Sequence, residues 1–287
     1  MARKAKGARV HLDVHPVAGG EAELLRDADR DGGWVLCVGG VPQSYVDLDD
    51  PTYLDFEYMR LMGDVVDCLA PEGQALDAVH IGGAGCTLPR YIAATRPGSR
   101  QVVFEPDAEL VRLVRERLPV KKVPGLKIRI VDGRSGTAAL PDGADDLLVM
   151  DAFAEASMPV ELATREFTLE AARVLRPGGV YLMNVADGFR LPYARRVAAT
   201  VRSVFRHALL LGEPAVLRGR RFGNLIVAAS REPLPVAELT RRAAGGAVRA
   251  RLVEGDDLGA FCGGAAPLHD GEDVQAPVPP PQVFGRP

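Results

Sequence analysis

The sequence is poor in the features that mark several protein classes. It holds four cysteines in 287 residues, Cys37, Cys68, Cys86 and Cys262. None stands in a CxxC pair, and their spacing fits neither a zinc knuckle nor a disulfide framework. Reduced thiols in a cytoplasmic setting are the expectation. No apolar run reaches the length of a membrane span. The basic start (Arg3, Lys4, Lys6, Arg9) is followed by no apolar stretch, so no signal peptide is expected. A formal net charge of −3 provides no field to recruit nucleic acid. Aromatic residues, 6% of the chain, give few platforms on which bases could stack. His11, His15, His207 and His269 are too scattered to suggest a metal site, and His80, inside an apolar run, reads as a core residue. No nucleic-acid, membrane or metal partner is therefore expected.

What is present is an ordinary globular composition, 47% hydrophobic and 25% charged, long enough for a substantial core. Residues 1–32 read as polar and irregular. Residues 33–55 read as a small β-hairpin region, with strands over 33–41 and 43–48 around Pro42. A helix follows over 53–69, ended by Pro71 and Gly73. Short apolar runs then alternate with helical periods. The strand candidates are 75–81, 101–105, 126–131, 146–151 and 180–185. The helix candidates are 88–95, 107–118, 159–175 and 192–204. Two further strands are expected, one beginning at 208–211 and one over 222–229. This predicts an α/β, Rossmann-like domain over 56–235 with a mostly parallel, seven-stranded sheet flanked by helices. A helix over 236–244 and a Gly/Pro-rich tail complete the chain as a segment spanning 236–287, the tail extended or disordered from Gly263. Arg218, Arg220 and Arg221 read as a solvated basic turn.

The organising stretch is VHIGGAGCTLPR, residues 79–90. A strand ends in Gly82, Gly83 and Gly85, and a helix N-terminus follows. Glycines let a backbone turn tightly and approach a ligand, and a helix start offers free N–H groups. Glu105 ends the next strand, 20 residues past Gly85, the offset at which a carboxylate takes ribose hydroxyls. Asp132-Gly133 and Asp151 end the next two strands, placing three acids over one crevice. Carboxylates stacked in this way suit a ribose diol, an exocyclic amine or a sulfonium better than a pyrophosphate. Leu88, where a dinucleotide fingerprint carries its third glycine, also argues against a nicotinamide cofactor. Asp at such strand ends also serves as an ordinary helix cap. Cys86, at a helix start, reads as a small packing residue.

The succession IGGAG, VVFEPD, IVDGR, DDLLVMDAF and RVLRPGGVYLMN resembles the spermidine synthase family, within the class I S-adenosylmethionine-dependent, methyltransferase-like proteins. GGVPQSYV resembles that family's Gln-containing strand, and LHDGEDVQAP is similar to its C-terminal Thr-Asp-Asp-x-Ala-Pro stretch. The likeness runs from about Gly33 to Pro277. It implies that Glu105 holds ribose hydroxyls, that Asp132 beside Gly133 holds the adenine amino group, that Gln43 lies near the nucleoside and that Asp151 is the catalytic carboxylate. It also exposes departures. Ala84 stands where the family's loop carries an Asp for the donor's ammonium. Ala154 replaces the second Asp of Asp-x-x-Asp. Phe56-Glu57-Tyr58 stands for the family's Tyr-His-Glu. Asp64, Asp67 and Glu155 are candidates to compensate.

Three altered amine-gripping positions lead the sequence reading toward intact S-adenosylmethionine and methyl transfer to a small-molecule acceptor. The alternatives are aminopropyl transfer from decarboxylated S-adenosylmethionine and a non-catalytic nucleoside-binding paralogue. No metal enters any of these. Pairing of the exposed hairpin with its copy leads to an expectation of a homodimer or homotetramer.

Overall fold

Residues 11–26, expected to be irregular, form two strands, β1 (His11–Val17) and β2 (Gly20–Arg26). The computed structural model describes residues 11–154, 157–246 and 249–280. β2 buries Ala22, Leu24 and Leu25, and the adjacent pair of leucines breaks the period-2 alternation that would have announced a strand. β3 (Gly33–Val38) and β4 (Val41–Asp47) complete an antiparallel sheet in the order β1-β2-β3-β4. The small region is thus a four-stranded sheet rather than a hairpin. Its last turn lies at Gly39-Gly40, both with positive φ (56° and 74°), as a two-residue hairpin turn requires. Pro42 falls within β4, an edge strand that tolerates a missing donor.

The main domain begins with α1 (Glu57–Leu69) and β5 (Asp77–Ile81). It continues through α2 (Thr87–Thr95), β6 (Arg100–Phe104), α3 (Ala108–Arg117), β7 (Leu126–Arg129), α4 (Gly133–Ala138) and β8 (Asp145–Met150). Then come α5 (Arg165–Val174), β9 (Leu175–Asp187), α6 (Pro192–Arg202), β10 (His207–Gly212), α7 (Pro214–Leu217) and β11 (Gly223–Ser230). α8 (Val236–Gly245), β12 (Arg251–Glu254) and α9 (Gly255–Cys262) follow.

The sheet order is β12-β10-β11-β9-β8-β5-β6-β7, with eight strands rather than the expected seven. The extra strand, β12, has four residues and buries none of them fully, so no apolar run betrays it. Strands β5 to β9 are parallel and β10 to β12 antiparallel. Alternation along the strands feeds two cores. Leu148 and Met150 of β8 join Phe167, Val197 and Leu258 beneath α5, α6 and α9. Leu147 and Val149 join Val65, Ile92 and Leu239 beneath α1, α2 and α8. A third cluster, Leu24, Leu36 and Val46 against Val103 and Leu113, seats the small sheet on α3 and β6. From β5 the chain runs outward to β7 and returns to β8 on the other side of β5. The switch in strand order leaves a crevice beyond the strands' carboxyl ends.

Arg96 locks the far end of this arrangement. It is only 2% exposed, and it donates to the carbonyls of Val66, Ala70, Pro71 and Gln74 at the end of α1, whose last turn has no basic residue of its own. Arg96→Met should leave those carbonyls unpaired and lower stability by about 3 kcal/mol. In a thermal melt this is a fall of roughly 5 °C or more; a loss below about 1 kcal/mol would show that water replaces the guanidinium.

The tail is extended, as expected, but it is packed rather than loose. Leu268 is fully buried, its N–H donating to Thr200 Oγ1 and its carbonyl accepting from Arg165 N. Residues 281–287 of the tail lie outside the described residues. Among the described residues no helix is long and apolar enough to cross a membrane.

Candidate functional site

The carboxyl ends of β5, β6, β8 and β9, together with β4 and the start of α1, enclose a cavity of about 1430 Å³. Gln43, Gly82, Gly83, Glu105, Asp132, Gly133 and Asp151 all line it, although they come from five separate stretches of chain. Gly85 does not line it; its N–H is taken by Ser44 Oγ at 3.0 Å, and a Cβ there would meet Val46 at 2.8 Å. The glycines read from sequence as room for a ligand have protein neighbours instead. A Cβ on Gly82 (φ +84°) would lie 2.4 Å from the Asp151 carbonyl, and one on Gly83 would lie 2.4 Å from Val103. A Cβ on Gly133 would lie 2.4 Å from Ile81. Gly82 lets the ends of β5 and β8 close on each other, Gly83 lets the loop settle on β6, and Gly133 lets α4 approach β5, and so they set where the acids stand.

Glu105 is held by the loop it faces. Its carboxylate accepts from Gly83 N at 3.1 Å and from Asp107 N at 3.2 Å. Burial pushes its pKa up, and the backbone donors of Gly83, Asp107 and Ala84 oppose that rise. Asp132 is both cap and cavity residue. One oxygen accepts from Ser135 N at 2.8 Å at the start of α4, which holds its pKa below the usual range, and the side chain is otherwise exposed. Asp107 is structural: it caps α3 and takes Ala18 N from the β1–β2 turn at 2.7 Å.

Asp151 sits at the floor. Asn184 Nδ2 donates to one oxygen at 2.8 Å, and the Tyr58 hydroxyl approaches the other at 3.5 Å. Asn224 Nδ2 in turn donates to Asn184 Oδ1 at 2.9 Å, fixing the amide's orientation. Burial raises the Asp151 pKa to about 6, against the opposing pull of Asn184 and Tyr58. Burial and the adjacent carboxylate keep the Tyr58 hydroxyl protonated well above its ordinary range. A carboxylate of this kind can accept a proton near neutral pH.

Sequence reasoning missed Tyr58, Asn184 and Asn224. Tyr58 enters the sequence reading within Phe56-Glu57-Tyr58, as a departure from the family pattern, with no link to Asp151. Asn184 did leave a signal, being a polar residue in the otherwise apolar run YLMNVA of β9. His80 is the neutral core residue expected, 1% exposed, paired with Gln101 and lowered to a pKa of about 4 by burial. Cys86 is buried, its thiol pushed up to about 12.

The charge of the cavity wall is lopsided. Asp55, Glu57, Glu105, Asp107, Asp132, Asp151 and Glu161 line it, against Arg60, Arg134 and Arg221. Arg221, from the basic turn, pairs with Glu213 and lies 3.7 Å from Glu57. Ala84 and Ala154 are also lining residues. Of the acids proposed to compensate for them, Asp64 and Asp67 lie elsewhere, paired with Arg242 of α8 at 3.6 and 2.9 Å. Glu155 lies outside the described residues.

No family model matches the chain. A 131-residue stretch, 43% of the chain, is 30% identical to a polyamine aminopropyltransferase of Nitrosomonas europaea, spanning 38% of that protein's length. A probable spermidine synthase from Corynebacterium glutamicum superposes with a TM-score of 0.83 at 32% identity, over 95% of this chain and 100% of that one. The spermidine synthase from Thermotoga maritima, at 17% identity and a TM-score of 0.60 over 83% of this chain and 78% of that one, shares the fold.

Proposed function

The chain belongs to the spermidine synthase family, and on that premise we propose that it is an aminopropyltransferase, moving an aminopropyl group from decarboxylated S-adenosylmethionine to a polyamine acceptor. The observation that carries this reading is the excess of carboxylates around the cavity. An acceptor with two or more ammonium groups and a donor bearing both a sulfonium and an ammonium are cations throughout, and an acidic wall attracts them. The carboxylate of intact S-adenosylmethionine would enter the same field as a like charge. The relatives favour the same side. The Nitrosomonas relative is named a polyamine aminopropyltransferase and the Corynebacterium structure a probable spermidine synthase, so the expectation of methyl transfer drawn from Ala84 and Ala154 gives way. Asp55, Glu57 and Glu161 are further acids of this cavity, and we assign them to the ammonium groups that positions 84 and 154 no longer hold.

Roles follow for the chain's own groups. Glu105 takes the ribose hydroxyls, Asp132 the adenine amino group, and Gln43 borders the nucleoside. The sulfonium supplies a carbon electrophile and departs as a neutral thioether. Asp151 accepts the proton shed by the acceptor's nitrogen as that nitrogen bonds to the propyl carbon and the carbon–sulfur bond breaks. Tyr58 and Asn184 keep the carboxylate aimed. The remaining contribution is positioning and exclusion of water.

The test is a transfer assay with a diamine acceptor and each donor in turn, with products identified by mass. The decarboxylated donor should give kcat/KM about 100-fold above that of the intact one, the cost of one like charge at close quarters. A methylated acceptor, or a preference for the intact donor, would overturn the reading.

A further inference from the structure

After α9 the chain crosses α6, α5 and α4 and meets Arg134, a residue of the cavity wall, from outside the cavity. Arg196 of α6 donates to the carbonyls of Ala266 and Pro267 and to Glu272. The Leu268 carbonyl takes the Arg165 N–H at the start of α5. Glu166 of α5 then receives the His269 ring at 2.8 Å and the Asp270 N–H at 3.0 Å, and Glu272 accepts the His269 N–H at 2.9 Å. The backbone of Asp270 is therefore fixed from both sides. Its carboxylate meets Arg134 of α4 in a two-bond pair, at 2.8 and 2.7 Å. Arg134 also donates to the Glu161 carbonyl at 2.8 Å. Further along, the Ala276 carbonyl takes the Ser157 hydroxyl at 3.1 Å.

Arg134 and Glu161 both line the cavity, and Arg134 lies two residues past Asp132. We propose that Asp270 is a positioning residue for the nucleoside end of this cavity, acting through Arg134. The inference rests on the reading of the cavity as a nucleoside site. Asp270 does two things there. It holds the guanidinium in a planar fork that also fixes the wall at Glu161. It also neutralises a cation that would otherwise face a cationic ligand. Arg134 and Asp270 are about a third and two-fifths exposed, so their pairing adds little to global stability. Its effect belongs to the site.

Calorimetric titration of the full chain with methylthioadenosine, the nucleoside left by aminopropyl transfer, tests this. Asp270→Asn should raise Kd about tenfold, as for directly coupled neighbours, with the melting temperature nearly unchanged. Arg134→Lys, which cannot form the fork, should do the same, and the double variant should be no weaker than either single one. Arg196→Met, which loosens the strap at α6 and touches neither His269 nor Asp270, should leave Kd within twofold. Equal Kd for wild type and Asp270→Asn would overturn the inference, as would an equal loss in Arg196→Met, which would reduce the strap to general packing. Were Asp270→Asn not to fold, Arg134→Lys reads the same contact from the cavity side. Failure of the wild type to bind would overturn the nucleoside reading together with this one.

Discussion

Asp151→Asn should lower aminopropyl transfer by about 10³-fold and, at the same time, make the protein more stable at pH 8. The loss follows from the proton-accepting role proposed for the carboxylate, for which positioned side chains contribute roughly 10²–10⁴-fold. The gain follows from burial. The carboxyl titrates near 6 in the folded protein, above its ordinary 3.8. Below about pH 4 it is protonated folded or unfolded and costs nothing. Between about 4 and 6 the unfolded chain ionises more readily than the folded one, so stability falls as pH rises. Above 6 the full penalty stands, on the order of 2–3 kcal/mol for a shift of this size. Asparagine removes the penalty without orphaning a neighbour, since its oxygen can still accept from Asn184 and its amide can face the Tyr58 hydroxyl. Urea unfolding at pH 4 and pH 8 should show wild type and variant converging at the lower pH and separating at the higher. The same titration sets the wild-type rate, which should fall about tenfold per unit below pH 6. Transfer within tenfold of wild type in Asp151→Asn would remove the residue from the proton path.

The parts legible in the sequence share a physical cause. The apolar runs ending in Gly82, Glu105 and Asp151 are strands buried on both faces, so nearly every residue declares the element, and their ends fall within a residue or two of the expected ones. β2 opens on Gly20, and its paired leucines break the alternating pattern that would have marked a strand. α9 and β12 are short, eight and four residues, and are held by contacts with α6 and β10. The acids at strand ends were visible because sheet topology alone brings them together. Tyr58, Asn184 and Asn224 were not, since each reaches Asp151, directly or in series, across 33 residues or more of chain. The turn toward methyl transfer has the same origin. Ala84 and Ala154 are local absences, whereas Asp55, Glu57 and Glu161 enter the cavity from a loop, a helix start and a distant turn. Asp270 was read only as part of a resembling stretch, and its link to Arg134 spans 136 positions.

Glu105→Gln should act on binding where Asp151→Asn acts on chemistry. Both Glu105 oxygens already accept from backbone N–H groups, one each from Gly83 and Asp107. A carboxylate oxygen has a second lone pair free for a ribose hydroxyl. Glutamine offers one carbonyl oxygen and one NH2, so the NH2 must face either Gly83 N–H or Asp107 N–H, donor against donor. The charge that strengthens two ribose contacts is lost as well. Charge-assisted bonds contribute about 1.5–3 kcal/mol each, and losing most of one and weakening the other should raise the Kd for methylthioadenosine by about 10²-fold. The loop itself should persist, because Gly82 N–H is held by the Phe104 carbonyl at 3.0 Å and Gly85 N–H by Ser44. At saturating donor, kcat should therefore return to within a few-fold of wild type, while Asp151→Asn should bind the nucleoside normally and stay slow. A Kd within threefold of wild type for Glu105→Gln would take the ribose away from Glu105. Crossed losses of binding in one variant and turnover in the other would instead assign the two carboxylates, from strand ends on either side of β5, to separate steps of one reaction.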